Sequence, residues 1–364
     1  MNFDIKCLVR ERILKMIPYQ SARRLGGHGN IWLNANELPI STELKLKHHN
    51  LNRYPDFQPC DVIVKYADYV NCQTDQILVL RGADEGIELL IRAFCEPGLD
   101  AIISCPPTYD MYGICAEIFG VKNKQCNTKT NWNLNLLQIL SNLNQVKLIY
   151  ICNPNNPTGN IIDISDIKYL LKMTLNKALV VIDEAYIEFS NQYTAVSLLS
   201  IFPNIVILRT LSKAFGLAGL RCGFIIAHPE VIKVLSKILA PYPLSSPVIE
   251  IASIALQKNN IQLMKNRVLE LIENKNWLSH ELKKIKIIEH VFKSFANYIL
   301  VKFFYPELVF NFLIKKGIVL RNQNTKLYLS GCIRISIGTR FECLELLKSL
   351  KELSYMEIDK YDKS

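Results

Sequence analysis

The chain lacks the usual signals for a zinc, disulfide or nucleotide-triphosphate site. Its eleven cysteines are odd in number and no two stand at C-x-x-C spacing. That excludes a paired-cysteine zinc motif and argues against a disulfide framework. Several cysteines, Cys152 and Cys222 among them, sit in apolar runs and read as buried thiols in a reducing compartment. No G-x-x-x-x-G-K-[ST] phosphate loop occurs. No uninterrupted apolar run approaches membrane-spanning length. The first residues, MNFDIKCLVRERILKMIPY, are charged throughout and hold no signal-peptide core. Internal repeats and low-complexity tracts are missing too. The expectation is a soluble, cytoplasmic protein with no membrane partner.

What is present is core-forming material. Of 364 residues, 49% are hydrophobic and 21% charged, which argues against disorder. The length exceeds the usual single-core limit and predicts one large domain plus a smaller one. The net charge of +10 is spread over dispersed lysines. The densest group (Lys283, Lys284, Lys286) lies on a helix-like stretch with Glu281 and Glu289. A nucleic-acid binder concentrates its charge in a stripe or arm, so the charge reads as compositional habit and no nucleic-acid partner is expected.

Short apolar, β-branched runs recur along the first two thirds: Ile77–Leu80, Ala101–Cys105, Lys147–Cys152, Ala178–Asp183, Ile205–Leu208 and Cys222–Ala227. They lack polar alternation, as do strands buried on both faces. Between them, Glu85–Cys95 and Asp163–Leu175 carry apolar residues at helical spacing. Alternation of this kind predicts an α/β fold with a mostly parallel central sheet of six or more strands, sandwiched by helices. After Pro247 the texture changes to a long helical stretch, roughly Val248 to Lys284. A few strands (Tyr298–Phe303, Ile333–Ser336) and two more helices follow, as in a smaller α+β domain. The predicted organisation is an N-terminal arm (1–36), a large α/β domain (37–247) and a small C-terminal α+β domain (248–364), with a disordered polar tail, MEIDKYDKS.

In open α/β sheets ligands bind beyond the carboxyl ends of the strands, and five of these ends carry polar sets. After the first comes Arg81-Gly82-Ala83-Asp84-Glu85-Gly86, a glycine turn whose free N–H groups suit an anion, or an ordinary acidic N-cap. After the second, Pro106-Pro107-Thr108-Tyr109 could hold a tyrosine against a flat ring, or expose it on a loop. The third leads into Asn153-Pro154-Asn155-Asn156-Pro157-Thr158-Gly159, where Asn156 could donate to a ring oxygen. The fourth ends at Asp183-Glu184-Ala185-Tyr186, a carboxylate leaving apolar surroundings and in want of a cation; an acidic metal-binding pair is its rival reading. The fifth enters Thr210-Leu211-Ser212-Lys213-Ala214-Phe215-Gly216-Leu217-Ala218-Gly219-Leu220-Arg221, with nothing charged between lysine and arginine. A lysine there either sends its head to solvent or is held near neutrality as a nucleophile or base. Singly each set is ambiguous. Together they suit pyridoxal 5'-phosphate. Lys213 would carry its aldehyde and Asp183 would hold the pyridine nitrogen protonated. Asn156 and Tyr186 would tune the ring oxygen. Ser212, Arg221 and the backbone of Gly82, Ala83 and Asp84 would hold the phosphate.

These strings resemble the fold-type-I pyridoxal-phosphate aminotransferases. R-G-A-D-E-G-I-E-L-L-I-R-A-F, C-P-P-T-Y, R-T-L-S-K-A-F-G-L-A-G-L-R-C-G-F, N-A-N-E and G-C-I-R-I-S-I-G-T-R are similar to those of the histidinol-phosphate aminotransferases. The similarity runs from about Pro18 to about Arg340. It implies a ping-pong transamination in which glutamate aminates imidazole-acetol phosphate, giving histidinol phosphate and 2-oxoglutarate. Lys213 would be the Schiff-base lysine and proton shuttle, and Tyr109 would stack on the ring. Tyr54, in R-Y-P-D-F, would reach the cofactor phosphate of the other subunit of a homodimer. Tyr19, Arg321 and Arg334, with Asn156, would bind the substrates. Threonine-phosphate decarboxylases and aromatic-amino-acid aminotransferases share the implied fold and stay as alternatives.

Overall fold

The computed structural model describes residues 8–17, 19, 29–41 and 51–361, with side chains described as far as residue 356. Pro18, the start of the resemblance, lies outside them. The N-terminal region gives α1 (Glu11–Lys15) and β1 (Ile31–Trp32). The chain then runs through α2 (Cys60–Val70), β2 (Ile77–Leu80), α3 (Ala83–Phe94), β3 (Ala101–Ser104), α4 (Met111–Phe119) and β4 (Lys122–Gln125). It continues with α5 (Leu136–Ser141), β5 (Val146–Cys152), α6 (Ile164–Thr174), β6 (Leu179–Asp183), β7 (Ile205–Thr210), β8 (Gly223–Ala227) and α7 (Pro229–Ser236). Beyond these lie α8 (Ser246–Ala255), α9 (Lys258–Leu282), β9 (Ile288–Val291), β10 (Tyr298–Phe303) and α10 (Pro306–Lys315). Then come β11 (Ile318–Val319), β12 (Arg321–Asn322), β13 (Cys332–Ser336) and α11 (Arg340–Tyr361).

The described residues form a seven-stranded sheet in the order β2-β8-β7-β6-β5-β3-β4. Parallel pairing runs from β4 through β3, β5 and β6 to β7; β8 is antiparallel to both β7 and β2. Alternate residues of every strand but β4 feed two cores. Ile77 and Val79 join the one that includes α2 and α6, while Leu78 and Leu80 join the one that includes α3, α4 and α7. Both faces being covered, the inner strands are apolar at most positions. A second, antiparallel sheet, β12-β13-β10-β9, lies in the C-terminal region. The N-terminal segment docks there: β1 pairs in parallel with β11, and the Asn36 N–H donates to Ser336 Oγ at 2.9 Å.

The structure corrects the sequence reading in four places. An edge strand, β4, was not anticipated: its residues, Lys-Asn-Lys-Gln, carry no apolar signal and join the sheet through backbone pairing with β3, with one side-chain bond from Ser104 Oγ to Asn123 Oδ1 at 2.9 Å. The helix expected over 248–284 is two helices, broken at Gln257, which adopts an extended backbone; the Asn260 side chain caps the Ile254 carbonyl. Lys284 and Lys286 therefore follow α9, and Lys284 bonds to Glu281. The tail expected to be disordered instead continues α11 as far as Tyr361, and residues 362–364 lie outside the described part. Among the described residues no helix is long and apolar enough to cross a membrane.

Candidate active site

Since β2, β3, β5, β6 and β7 run in one direction, their carboxyl ends share one edge of the sheet. Strand β8 runs the other way, so its start lies at that edge, and Gly223 pairs with both Leu80 and Thr210. This reversal brings Arg221 beside the β2–α3 turn. The turn needs glycine: Gly82 has φ +86°, and a Cβ there would stand 2.8 Å from the Arg221 guanidinium. Facing it, a Cβ on Gly223 would stand 2.5 Å from the Gly82 carbonyl carbon. Glu85 folds back onto the Arg81 N–H and guanidinium, while Asp84 turns to Arg221 Nη2 at 3.3 Å and the Tyr109 hydroxyl at 3.1 Å. Arg221 Nη1 also reaches Ser212 Oγ at 3.5 Å. An arginine, a serine and the N-terminus of a 12-residue helix thus converge on one spot suited to an anion.

Asp183 ends β6 at 3% exposure. Its carboxylate accepts from the Tyr112 hydroxyl at 2.7 Å and from the Ala185 N–H at 3.1 Å. Burial pushes its carboxyl up to about 6, although both donors favour the ionised form. A protonated ring nitrogen would satisfy this carboxylate. Lys213 bonds through Nζ to the Ala35 carbonyl at 3.0 Å. Part of its surface stays open to the cavity, yet burial, helped by the positive charge of Arg334, pulls its amine down to about 8. An amine so placed has a substantial neutral fraction near physiological pH and can act as nucleophile or base.

Two loops are locked together to aim the next groups. Asn155 donates to the Pro107 carbonyl and accepts from Thr108 Oγ1, both at 2.8 Å. Next to it, Asn156 presents its amide to the Tyr186 hydroxyl at 3.5 Å. Tyr109 packs edge-on against Tyr112 with ring centroids 5.7 Å apart. Tyr112 in turn stacks on Tyr150.

At the far side of the cavity, Arg334 is 6% exposed. Its Nη1 donates to Asn156 Oδ1 at 2.6 Å and its Nη2 to the Asn34 carbonyl at 2.7 Å. Arg321 stands directly opposite it across the antiparallel β12–β13 pair. Like charges so placed repel, and burial, with Arg334 adding to it, holds the Arg321 guanidinium below its ordinary value. An anionic ligand would relieve both. Tyr19 lines the same region, its phenol pushed up by burial and pulled back by Arg321.

These groups line one cavity of about 360 Å³, large enough for a cofactor-sized ligand. Of the residues predicted from sequence, Tyr19, Ala83, Asp84, Tyr109, Asn156, Asp183, Tyr186, Ser212, Lys213, Arg221, Arg321 and Arg334 all line it. Gly82 sits beneath it against Arg221. Tyr54 does not reach it: its side chain is 79% exposed and stacks on Tyr242 at 4.2 Å. Sequence reasoning missed Tyr112, Asn36 and Lys326. Tyr112 stands in the first turn of α4, just beyond the loop that carries Tyr109, and no local pattern singled it out. Asn36 lay inside a quoted string without a role. Lys326, which bonds to Asp110, gave no signal.

The class I and II aminotransferase family matches residues 30–350. The chain belongs to that family. Among named relatives, the histidinol-phosphate aminotransferase of Buchnera aphidicola subsp. Acyrthosiphon pisum (strain Tuc7) is 59% identical over 97% of both chains. That of Pectobacterium atrosepticum is 54% identical over 96% of this chain and 98% of its own. Among solved structures, the histidinol-phosphate aminotransferase from Sinorhizobium meliloti, in complex with pyridoxal-5'-phosphate, superposes with a TM-score of 0.83 at 20% identity, over 96% of this chain and 98% of that one. L-Threonine-O-3-phosphate decarboxylase from Porphyromonas gingivalis shares the fold less closely, at 0.68 and 20% identity over 83% and 93%. Family and fold thus make the chain a pyridoxal-phosphate-dependent aminotransferase, and the cavity fits that cofactor: a buried carboxylate for the ring nitrogen, a near-neutral lysine, and an arginine with a serine at a helix N-terminus for the phosphate.

Proposed function

We propose that the chain transfers an amino group between L-glutamate and imidazole-acetol phosphate, yielding L-histidinol phosphate and 2-oxoglutarate. The observation that carries this reading is the Arg321–Arg334 pair standing across one cavity from Lys213 and Asp183. The names of relatives at 54–59% identity support it. Ser212, Arg221 and the first N–H groups of α3 would hold the cofactor phosphate, Asp183 the ring nitrogen, and Asn156 with Tyr186 the ring oxygen. When bound there, pyridoxal phosphate supplies an aldehyde that takes up an amine and a protonated ring that withdraws electron density from the substrate α-carbon. Asp183 would keep a proton on the ring nitrogen. Tyr109 would cover the ring and exclude water from one face. Lys213 Nζ, near neutrality, would take the proton from the amine-bearing substrate carbon and deliver it to the carbon that had carried the cofactor's aldehyde. Arg321 and Arg334 accept phosphate from one substrate and carboxylate from the other, since a guanidinium fork matches either. One anion site serving two substrates in turn requires that the first product leave before the second substrate binds.

The same reading makes the enzyme a cytoplasmic homodimer with the partner subunit's Tyr54 completing each phosphate site. An exposed tyrosine stacked on Tyr242, with Leu51 and Phe57 also exposed nearby in the chain, supports it. It divides the chain at residue 247. Initial rates with both substrates varied should give parallel double-reciprocal lines. Release of carbon dioxide from threonine phosphate without an oxo acid, and no transfer to imidazole-acetol phosphate, would refute the substrate assignment. For the dimer, Tyr54→Ala and Lys213→Ala proteins, each inactive alone, should regain activity when refolded together. Failure of the mixture would show that Tyr54 does not serve the partner subunit's site.

A further inference from the structure

Tyr186 meets two amide donors: Asn36 Nδ2 at 3.1 Å and Asn156 Nδ2 at 3.5 Å. Asn36 is fully buried and holds a left-handed backbone, φ +54°. Three contacts fix it there. Its N–H donates to Ser336 Oγ at 2.9 Å, and Ser336 Oγ donates back to Asn36 Oδ1 at 2.8 Å. Asn297 Nδ2 donates to its carbonyl at 3.0 Å. A serine oxygen that already accepts the backbone N–H sends its proton to Oδ1, which leaves Nδ2 of Asn36 facing the tyrosine.

We infer that Asn36 is a positioning residue for the reaction: by occupying a lone pair of the Tyr186 oxygen as donor, it leaves the Tyr186 O–H to donate into the cavity. With both lone pairs taken by amides, the phenolic proton has the remaining direction open to it. That direction matters only if an acceptor binds there, so the inference rests on the reading of the site given above, in which the cofactor's ring oxygen is that acceptor. The flanking carbonyls explain why the segment sits where it does. Asn34 O takes the Arg334 guanidinium and Ala35 O takes Lys213 Nζ. Through Ser336, two residues from Arg334 on β13, Asn36 also ties the substrate-anion strand to the ring tyrosine.

The test uses the full-length protein loaded with pyridoxal phosphate, with Asn36→Gly, Tyr186→Phe and the double variant. Glycine keeps the positive φ without strain, so the side-chain bonds alone are lost. The readouts are the pH titration of the visible absorbance and the melting temperature. Loss of one hydrogen bond to the ionised form is worth about one pH unit in the absorbance titration and about tenfold in kcat. Asn36→Gly is expected to move the titration midpoint up by about that much with KM changed less than kcat. In the Tyr186→Phe background the same change should add nothing, because Asn36 acts through Tyr186. A titration midpoint that does not move while the melting temperature falls would overturn the inference and leave Asn36 a structural residue. So would an Asn36→Gly effect that persists in the Tyr186→Phe background. If the wild-type protein takes up no cofactor and shows no visible band, the reading of the site fails first and takes the inference with it.

Discussion

Replacing Asp183 by asparagine should stabilise the ligand-free protein while disabling it. The Asp183 carboxyl is 3% exposed, and burial moves it from its ordinary 3.8 up to about 6. That difference corresponds to about 3 kcal/mol spent on keeping the carboxylate ionised in the folded state. The group's folded value is raised, so its full contribution to stability is present below about pH 4 and is lost as pH rises through about 6. Asparagine carries no charge to bury. One amide oxygen can keep the Ala185 N–H, and the amide can donate to the Tyr112 oxygen, so the local bonds survive. Above pH 7 the ligand-free variant should therefore melt about 4 °C higher than the wild type, given an unfolding entropy of roughly 2.1 cal/mol/K per residue. The gap should close between about pH 6 and pH 4. Adding pyridoxal phosphate should reverse the order, since only the wild type offers a negative partner to a protonated ring, and turnover should fall at least a hundredfold. Thermal melts of both proteins across pH 4–8, with and without cofactor, measure all of this. A variant that is less stable at pH 8, with a difference that does not change with pH, would refute the argument from buried charge.

Three further outcomes follow from the same geometry. Gly82→Ala puts a Cβ 2.8 Å from the Arg221 guanidinium at φ +86°; it should cost on the order of 1–3 kcal/mol in melts and weaken cofactor affinity by at least tenfold in a fluorescence titration. Arg334→Lys keeps a charge but cannot reach both Asn156 Oδ1 and the Asn34 carbonyl, so steady-state KM should rise roughly ten- to a hundredfold for both substrates, at about 1.5–3 kcal/mol for a charged hydrogen bond. An unchanged KM for glutamate would show that the two anions bind apart. Capture of free pyridoxal phosphate by cofactor-free protein should speed up with pH and reach half its limit near pH 8, where the Lys213 amine is half neutral. A flat stopped-flow profile from pH 6 to 9 would argue against a depressed lysine.

Much of the sheet was legible in the residues because burial on both faces demands continuous apolar runs, and β2, β3, β5, β6, β7 and β8 all carry them. Strand β4 was not, since an edge strand with polar side chains, held mainly by backbone pairing, leaves no apolar signal. Nor could periodicity show that β8 runs backwards, yet that reversal is what delivers Arg221 to the phosphate turn. The lysine, the aspartate and the glycine turn stood out because each breaks a local rule: a charge in apolar surroundings, or a backbone angle reserved for glycine. The opposition of Arg321 and Arg334, and the grip of Asn36 on Tyr186, depend on pairing residues far apart in the chain. No local pattern encodes them.

The proposed function requires that one cavity run both half-reactions. The direct measurement is the visible spectrum of cofactor-loaded protein before and after histidinol phosphate alone, followed by 2-oxoglutarate. The proposed function predicts that histidinol phosphate bleaches the visible band and that 2-oxoglutarate restores it. A band untouched by histidinol phosphate but altered by an aromatic amino acid or by threonine phosphate would contradict it.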